Sequence, residues 1–267
     1  MAFFKGEVHS SALDMDTGIN VIMPQDFERA SVAAKDPARK VTGRCKVLYL
    51  LHGLTDGCGA WSRFTSIERY ARERGIAVVM PEVQHSFYTD MKYGMKYFTY
   101  VAQELPSLMA SMFQISTARE DSYIAGLSMG GYGALKCALT YPERYCAVAG
   151  FSSALDIRCR LSEGIWDDPQ FSVELKGIFG DSAAQTDDLF YLAQRAAQQP
   201  QELRPRVYTA CGTRDMLHGE NLAFKEHMES LPFDYLYEEW DGDHEWSFWD
   251  TAVQRALSFF FDEARQA

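Results

Sequence analysis

Apolar residues along this chain fall into short runs separated by longer amphipathic stretches. KVLYLLH (Lys46–His52) and IAVVMP (Ile76–Pro81) are near-continuous apolar runs too short for helices. That is the pattern of strands buried on both faces of a parallel sheet. SYIAG (Ser122–Gly126), YCAVAGF (Tyr145–Phe151), RVYTACG (Arg206–Gly212) and YLYEEW (Tyr235–Trp240) continue the series. Helical spacings lie between them: Phe64, Ile67 and Ala71; YGALKCALTY (Tyr132–Tyr141); Phe224, Met228 and Leu231. Val101, Leu105, Leu108 and Met112 keep the same period, and Pro106 predicts a kink or restart there. Trp249, Ala252, Val253, Ala256, Leu257 and Phe260 give the last helix a wide apolar stripe. The stretch up to Pro24 reads as strands closed by turns, with GINVIMP (Gly18–Pro24) alternating before a proline stop.

Alternating strand and helix predicts a doubly wound, mostly parallel α/β sheet, one domain over residues 1–267. The segment 156–205 breaks the alternation after a strand. It is helix-rich, carries Trp166, Phe171 and Phe179, and is expected to form a small cap over the carboxyl edge of the sheet, where ligands bind in such folds. Residues 25–44 are polar and contain Asp36-Pro37, which reads as a surface loop.

Composition narrows the partners. The 267 residues are 47% hydrophobic and 24% charged, which excludes a disordered or collagen-like chain. A net charge of −11 argues against nucleic acid or an anionic membrane face as the main partner. No stretch approaches the ~18 apolar residues of a membrane span. The opening MAFFKGEVHSSALDMDTG has one lysine and no apolar run of signal-peptide length. Six scattered cysteines (Cys45, Cys58, Cys137, Cys146, Cys159, Cys211) form no C-x-x-C pair. Together these predict a cytoplasmic protein with free thiols, a secreted protein with its leader removed being the weaker alternative.

The chemical signal is Gly126-Leu127-Ser128-Met129-Gly130, a G-x-S-x-G between a predicted strand and a predicted helix. A nucleophilic serine needs a sharp turn with strained backbone angles, and flanking glycines keep that turn open. A serine that merely caps the helix is the plain alternative. The nucleophile needs a base and an orienting acid, and in this fold class the chain order is Ser, acid, His. Asp215 stands just past RVYTACG, and His244 just past YLYEEW, so both loops are expected at the same sheet edge as Ser128. His218, in the Asp215 loop, is the competing base; Asp241 and Asp243 are the competing acids. His52-Gly53-Leu54 follows the first buried strand, so the Leu54 N–H is expected to join the Met129 N–H in an oxyanion hole. There is no H-E-x-x-H, no G-x-x-x-x-G-K-[ST], and no G-x-G-x-x-G spacing.

Taken in order, LYLLHGLTDGCGAW, SFYTDMKYG, GLSMGGYGALKCAL, KGIFGD, GTRD and DGDHEWSFWD resemble the esterase D branch of the α/β-hydrolases. The likeness is to short-chain (tributyrin-type) carboxylesterases above all; S-formylglutathione hydrolases and mycolyltransferases are more distant. It runs from about Phe4 to Phe260. The resemblance puts the nucleophile on Ser128, the acid on Asp215, the base on His244 and the oxyanion donors on Leu54 and Met129. It implies hydrolysis of short acyl esters, acetyl to butyryl and including acetylated sugars. No metal or cofactor is implied. The implied partners are a small-molecule ester and, as in many members, further copies of the chain. Trp61 and Ser86–Gly94 fall where the family lines its cleft, although Trp61 is equally suited to anchoring a helix start in the core. Trp166 and Phe179 are expected either to line an apolar pocket or to hold the cap down. The alternatives are a thioesterase of the S-formylglutathione hydrolase type, an acyltransferase, and a binding protein that has lost catalysis. The presence of all three candidate groups counts against the last.

Overall fold

The apolar runs become strands of one eight-stranded sheet in a computed structural model whose described residues are 1–25, 43–163 and 169–261. Most of the loop expected at 25–44, and Trp166, lie outside the described residues. The strands are β1 (Ala2–Ser10), β2 (Met15–Met23), β3 (Val47–Leu51), β4 (Ala77–Pro81), β5 (Ser122–Leu127), β6 (Ala147–Phe151), β7 (Arg206–Gly212) and β8 (Tyr235–Trp240). Their order across the sheet is β1-β2-β4-β3-β5-β6-β7-β8. The β1–β2 and β2–β4 pairs are antiparallel, and every other pair is parallel. The register matters for function. Leu51 pairs with Gly126, Leu127 with Phe151, Phe151 with Ala210 and Gly212 with Trp240, so the loops after β3, β5, β6, β7 and β8 leave one edge together.

The helices are α1 (Ala60–Phe64), α2 (Ile67–Arg74), α3 (Tyr97–Thr99), α4 (Leu105–Met112), α5 (Met129–Thr140), α6 (Ile157–Glu163), α7 (Pro169–Phe179), α8 (Leu189–Ala197), α9 (His218–Glu229) and α10 (Trp246–Phe261). Successive side chains of a strand point to opposite faces, and the core divides accordingly. Tyr49, Ile124, Val148 and Val207 pack with α4, α5, α8 and α9. Leu48, Leu50, Ala125, Ala149 and Tyr208 pack with Trp61, α2 and α10. Within the expected cap, α8 lies in the helical layer on α5 and α9. By contrast, α7 is tied to the segment after β4, where the Lys92 and Tyr93 N–H groups donate to Ile178 O and Gly177 O at 2.7 and 2.9 Å.

The proline expected to interrupt a helix does so through a specific device. A π-helical turn, Tyr100–Glu104, joins α3 to α4, and Pro106 follows in the first turn of α4. Proline has no N–H to offer the carbonyl four residues back. Arg144 supplies the missing donor, its Nη1 lying 2.5 Å from Ala102 O.

Buried on α5, the Lys136 ammonium donates to Asp187 Oδ1 at 2.6 Å and Thr89 Oγ1 at 2.8 Å. Burial pulls its pKa down, and Asp187 opposes that shift. Removing one partner of a buried pair strands the other, at about 3 kcal/mol or more. Lys136→Met is therefore expected to lower the thermal midpoint by roughly 10 °C, measured by calorimetry. A midpoint within 2 °C of wild type, on the order of 1 kcal/mol, would contradict this account of the pair.

Candidate active site

Ser128 sits between the end of β5 and the start of α5 with φ 53° and ψ −118°. Only a crowded, over-determined turn holds a non-glycine residue there. The crowding is measurable at two glycines. A Cβ on Gly126 would lie 2.3 Å from Gly130 O, and one on Gly130 would lie 2.5 Å from Leu51 O. The turn is pinned further by the Ser128 N–H, which donates to Phe151 O at 2.8 Å.

Two other strand-end loops bring partners to the hydroxyl. His244 Nε2 is 3.2 Å from Ser128 Oγ. His244 Nδ1 is 3.1 and 3.0 Å from Asp215 Oδ1 and Oδ2. The Asp215 side chain is fully buried, while that of His244 is 19% exposed. Burial pushes the Asp215 carboxyl up, but the His244 hydrogen bond and charge, with the Leu217 N–H on Oδ1 at 2.8 Å, hold it below its ordinary value. The His244 ring stands edge-on to Trp249 at 4.9 Å. This is a hydroxyl–imidazole–carboxylate relay, chemically able to pass a proton from Ser128 to His244 while Asp215 balances the imidazolium charge.

The rival residues are engaged elsewhere. His218 Nε2 contacts Glu239 at 2.9 Å, Asp241 pairs with Arg214, and Asp243 accepts the His244 N–H at 2.9 Å.

Leu54 and Met129 both line the cleft with Ser128. Met129 is the first residue of α5, where an N–H has no partner a turn earlier in the helix. The loop bearing Leu54 is held from below. Buried His52 donates from Nδ1 to Gly53 O at 2.7 Å and accepts the Val83 N–H on Nε2 at 3.2 Å. The Tyr88 hydroxyl donates to His52 O at 3.0 Å.

The cleft holds about 500 Å³. Its walls are largely apolar, formed by Leu54, Phe87, Phe171, Met216, Trp246 and Trp249, with Asp56, Arg160 and Glu245 as the charged lining. Burial raises the Asp56 carboxyl.

Trp61 and Phe179 stand one layer behind that wall. The Trp61 indole is 1% exposed, donates to Leu51 O at 2.9 Å and meets Trp246 edge-on at 5.2 Å. It backs the strand end that carries the His52–Leu54 loop, rather than facing the cleft. Phe179 is buried against Phe87 and Tyr132 at 5.7 and 6.3 Å. Within Ser86–Gly94, Phe87 is the residue that reaches the cleft. Sequence patterning did not single out Arg160, Met216 or the pair Trp246 and Trp249 as cleft residues. DHEWSFWD, the segment holding His244, was the available signal for the two tryptophans.

A serine at a strand-to-helix elbow on the carboxyl edge of a mostly parallel sheet, with histidine and aspartate from later strand-end loops, defines an α/β-hydrolase. The model of the Esterase family, described as "Putative esterase", matches residues 10–260, and the chain belongs to that family. It is a carboxylic ester hydrolase. The chain is 31% identical to an acetyl esterase of Caldicellulosiruptor saccharolyticus, over 97% of this chain and 98% of that one. It superposes with a TM-score of 0.85 on fluorophosphonate-binding serine hydrolase F of Staphylococcus aureus, at 32% identity over 97% and 98% of the two chains. An S-formylglutathione hydrolase of Staphylococcus aureus gives a TM-score of 0.80 and 33% identity over the same shares. Among the described residues, no helix is long and apolar enough to cross a membrane.

Proposed function

We propose that the chain is a serine carboxylesterase for short acyl esters, acetyl to butyryl, working through Ser128, His244 and Asp215. The observation that carries this is the continuous contact from Ser128 Oγ through His244 to buried Asp215, at 3.2 and then 3.0–3.1 Å. His244 takes the Ser128 proton as Oγ attacks the ester carbonyl. The Leu54 and Met129 N–H groups receive the oxyanion. The carbonyl–alkoxy bond breaks, His244 protonates the departing alcohol, and an acyl-serine remains. Water, deprotonated by His244, attacks that acyl group; the proton returns to Ser128 and the acid leaves.

The largely apolar cleft of about 500 Å³ supports an uncharged acyl group, and a short one fits within it. The likeness to an acetyl esterase points the same way. Hydrolysis of p-nitrophenyl esters from acetate to decanoate is expected to peak at acetyl to butyryl and to fall about tenfold or more by decanoate. A flat profile, or a peak at long chains, would overturn the short-chain assignment. The 33% identity to an S-formylglutathione hydrolase favours a second reading, a thioesterase with the same three groups. S-formylglutathione compared directly with p-nitrophenyl acetate separates the two.

A further inference from the structure

Among the described residues a lysine and an arginine are each buried in an ion pair, and the two differ in a way that bears on substrate choice. Lys136 donates to Asp187 and Thr89 and stands over the Phe98 ring at 4.8 Å, outside the cleft that holds Ser128. Arg160, on α6, lines the same cleft as Ser128 with its side chain only 3% exposed. Its guanidinium donates through Nη2 to Glu220 on α9. Among the described residues its Nε–H is sealed off from the cleft with no acceptor, and Nη1 makes no hydrogen bond. Glu220 is shared, because Oε2 also accepts the Leu155 and Asp156 N–H groups at 2.8 and 2.9 Å. One carboxylate therefore serves three donors. A guanidinium carries five N–H donors and no acceptor. Burying one beside an apolar wall with a donor unmet is costly unless something else accepts from it.

We infer that Arg160 is a specificity-determining residue that donates a hydrogen bond to an uncharged oxygen, such as an ether, hydroxyl or carbonyl, on the non-reacting part of the ester. This deepens the esterase reading and rests on it. A carboxylate on the substrate fits less well, since Asp56 and Glu245 line the same cleft and repel an anion. The cleft then prefers an oxygenated ester to its all-carbon isostere. A site built to donate to an oxygen loses that bond when a methylene replaces it.

The test uses isosteric pairs that differ by one CH₂-to-O exchange. In the acyl part the pair is p-nitrophenyl butyrate and p-nitrophenyl methoxyacetate. In the alcohol part it is butyl acetate and 2-methoxyethyl acetate. The quantity read is the oxa-to-alkyl ratio of kcat/KM, compared between wild type and variant so that intrinsic reactivity cancels. Arg160→Lys keeps the positive charge beside Glu220 but loses the planar fork. In case its fold is lost, Arg160→Met with Glu220→Gln removes both charges together and leaves an oxygen for the Leu155 and Asp156 N–H groups. The ratio is expected to fall about tenfold for at least one pair, mainly through KM, as the loss of a remote binding contact should. Ratios unchanged within twofold in a folded variant would make Arg160 a tie between α6 and α9 and overturn the inference alone. If the wild type hydrolyses none of the four esters, the esterase reading fails and the inference falls with it.

Discussion

Ser128→Ala is expected to lower ester hydrolysis roughly 10⁴- to 10⁶-fold, the range seen when a nucleophile of this kind is removed, in a protein that stays folded. The two halves of the expectation have separate causes. The rate falls because Oγ is the atom placed 3.2 Å from His244 Nε2, and no other hydroxyl occupies the elbow. The fold survives because the strain is in the backbone. At φ 53° alanine is strained much as serine is, and the contacts holding the turn come from main chain: the Ser128 N–H on Phe151 O, and Gly130 against Leu51 O. Hydrolysis, circular dichroism and covalent labelling by a fluorophosphonate should be measured together. Wild type is expected to label stoichiometrically and the variant not at all. A variant hydrolysing within tenfold of wild type would remove Ser128 from the mechanism.

How much of this was legible in the sequence depends on whether a feature is local. The buried strands were readable because a parallel sheet covered on both faces demands unbroken apolar runs. Arg206–Gly212 and Tyr235–Trp240 match β7 and β8 residue for residue. The positions of Ser128, Asp215 and His244 were readable because each lies within about four residues of a strand end, and parallel register carries strand ends to one edge. What lay behind the cleft wall was not readable. Trp61 has the composition of a cleft aromatic, yet its indole N–H is satisfied by Leu51 O, a contact between a helix and a strand end that spacing does not reveal. Arg160 sits in the helix IRCRLSE, within the segment expected to form the cap, where spacing does not single it out. Its burial comes from Glu220, 60 residues further on. The π-helical turn before Pro106 was unreadable for the same reason, since Arg144 lies 42 residues from the carbonyl it satisfies.

Asp215→Asn is expected to reduce kcat by about 10⁴, the scale set by removing the orienting carboxylate of such a relay, with little change in overall structure. The hydrogen bonds around Asp215 dictate how. Oδ1 accepts the Leu217 N–H at 2.8 Å, so an asparagine must keep its carbonyl oxygen there. Its NH₂ group then takes the Oδ2 position, 3.0 Å from His244 Nδ1. An amide donor facing Nδ1 requires a lone pair on that nitrogen, which moves the ring proton to Nε2. The nitrogen facing Ser128 Oγ then carries a proton and cannot accept another. The pH dependence separates this loss of tautomer from simple damage to the site. The wild-type Asp215 carboxyl is held below its ordinary value, so the stability it contributes is present above ~3.9, the unfolded value, and disappears as pH falls through the lower folded one. In wild type Asp215 therefore stays ionised at neutral and mildly acidic pH, where it can orient the imidazole. The asparagine variant has no carboxyl to titrate at this position. Its thermal midpoint is expected to fall less steeply than that of wild type below about pH 4, while kcat is lost at every pH. Parallel acid-stability curves for the two proteins, or a kcat within tenfold of wild type at neutral pH, would show that Asp215 does not orient the imidazole.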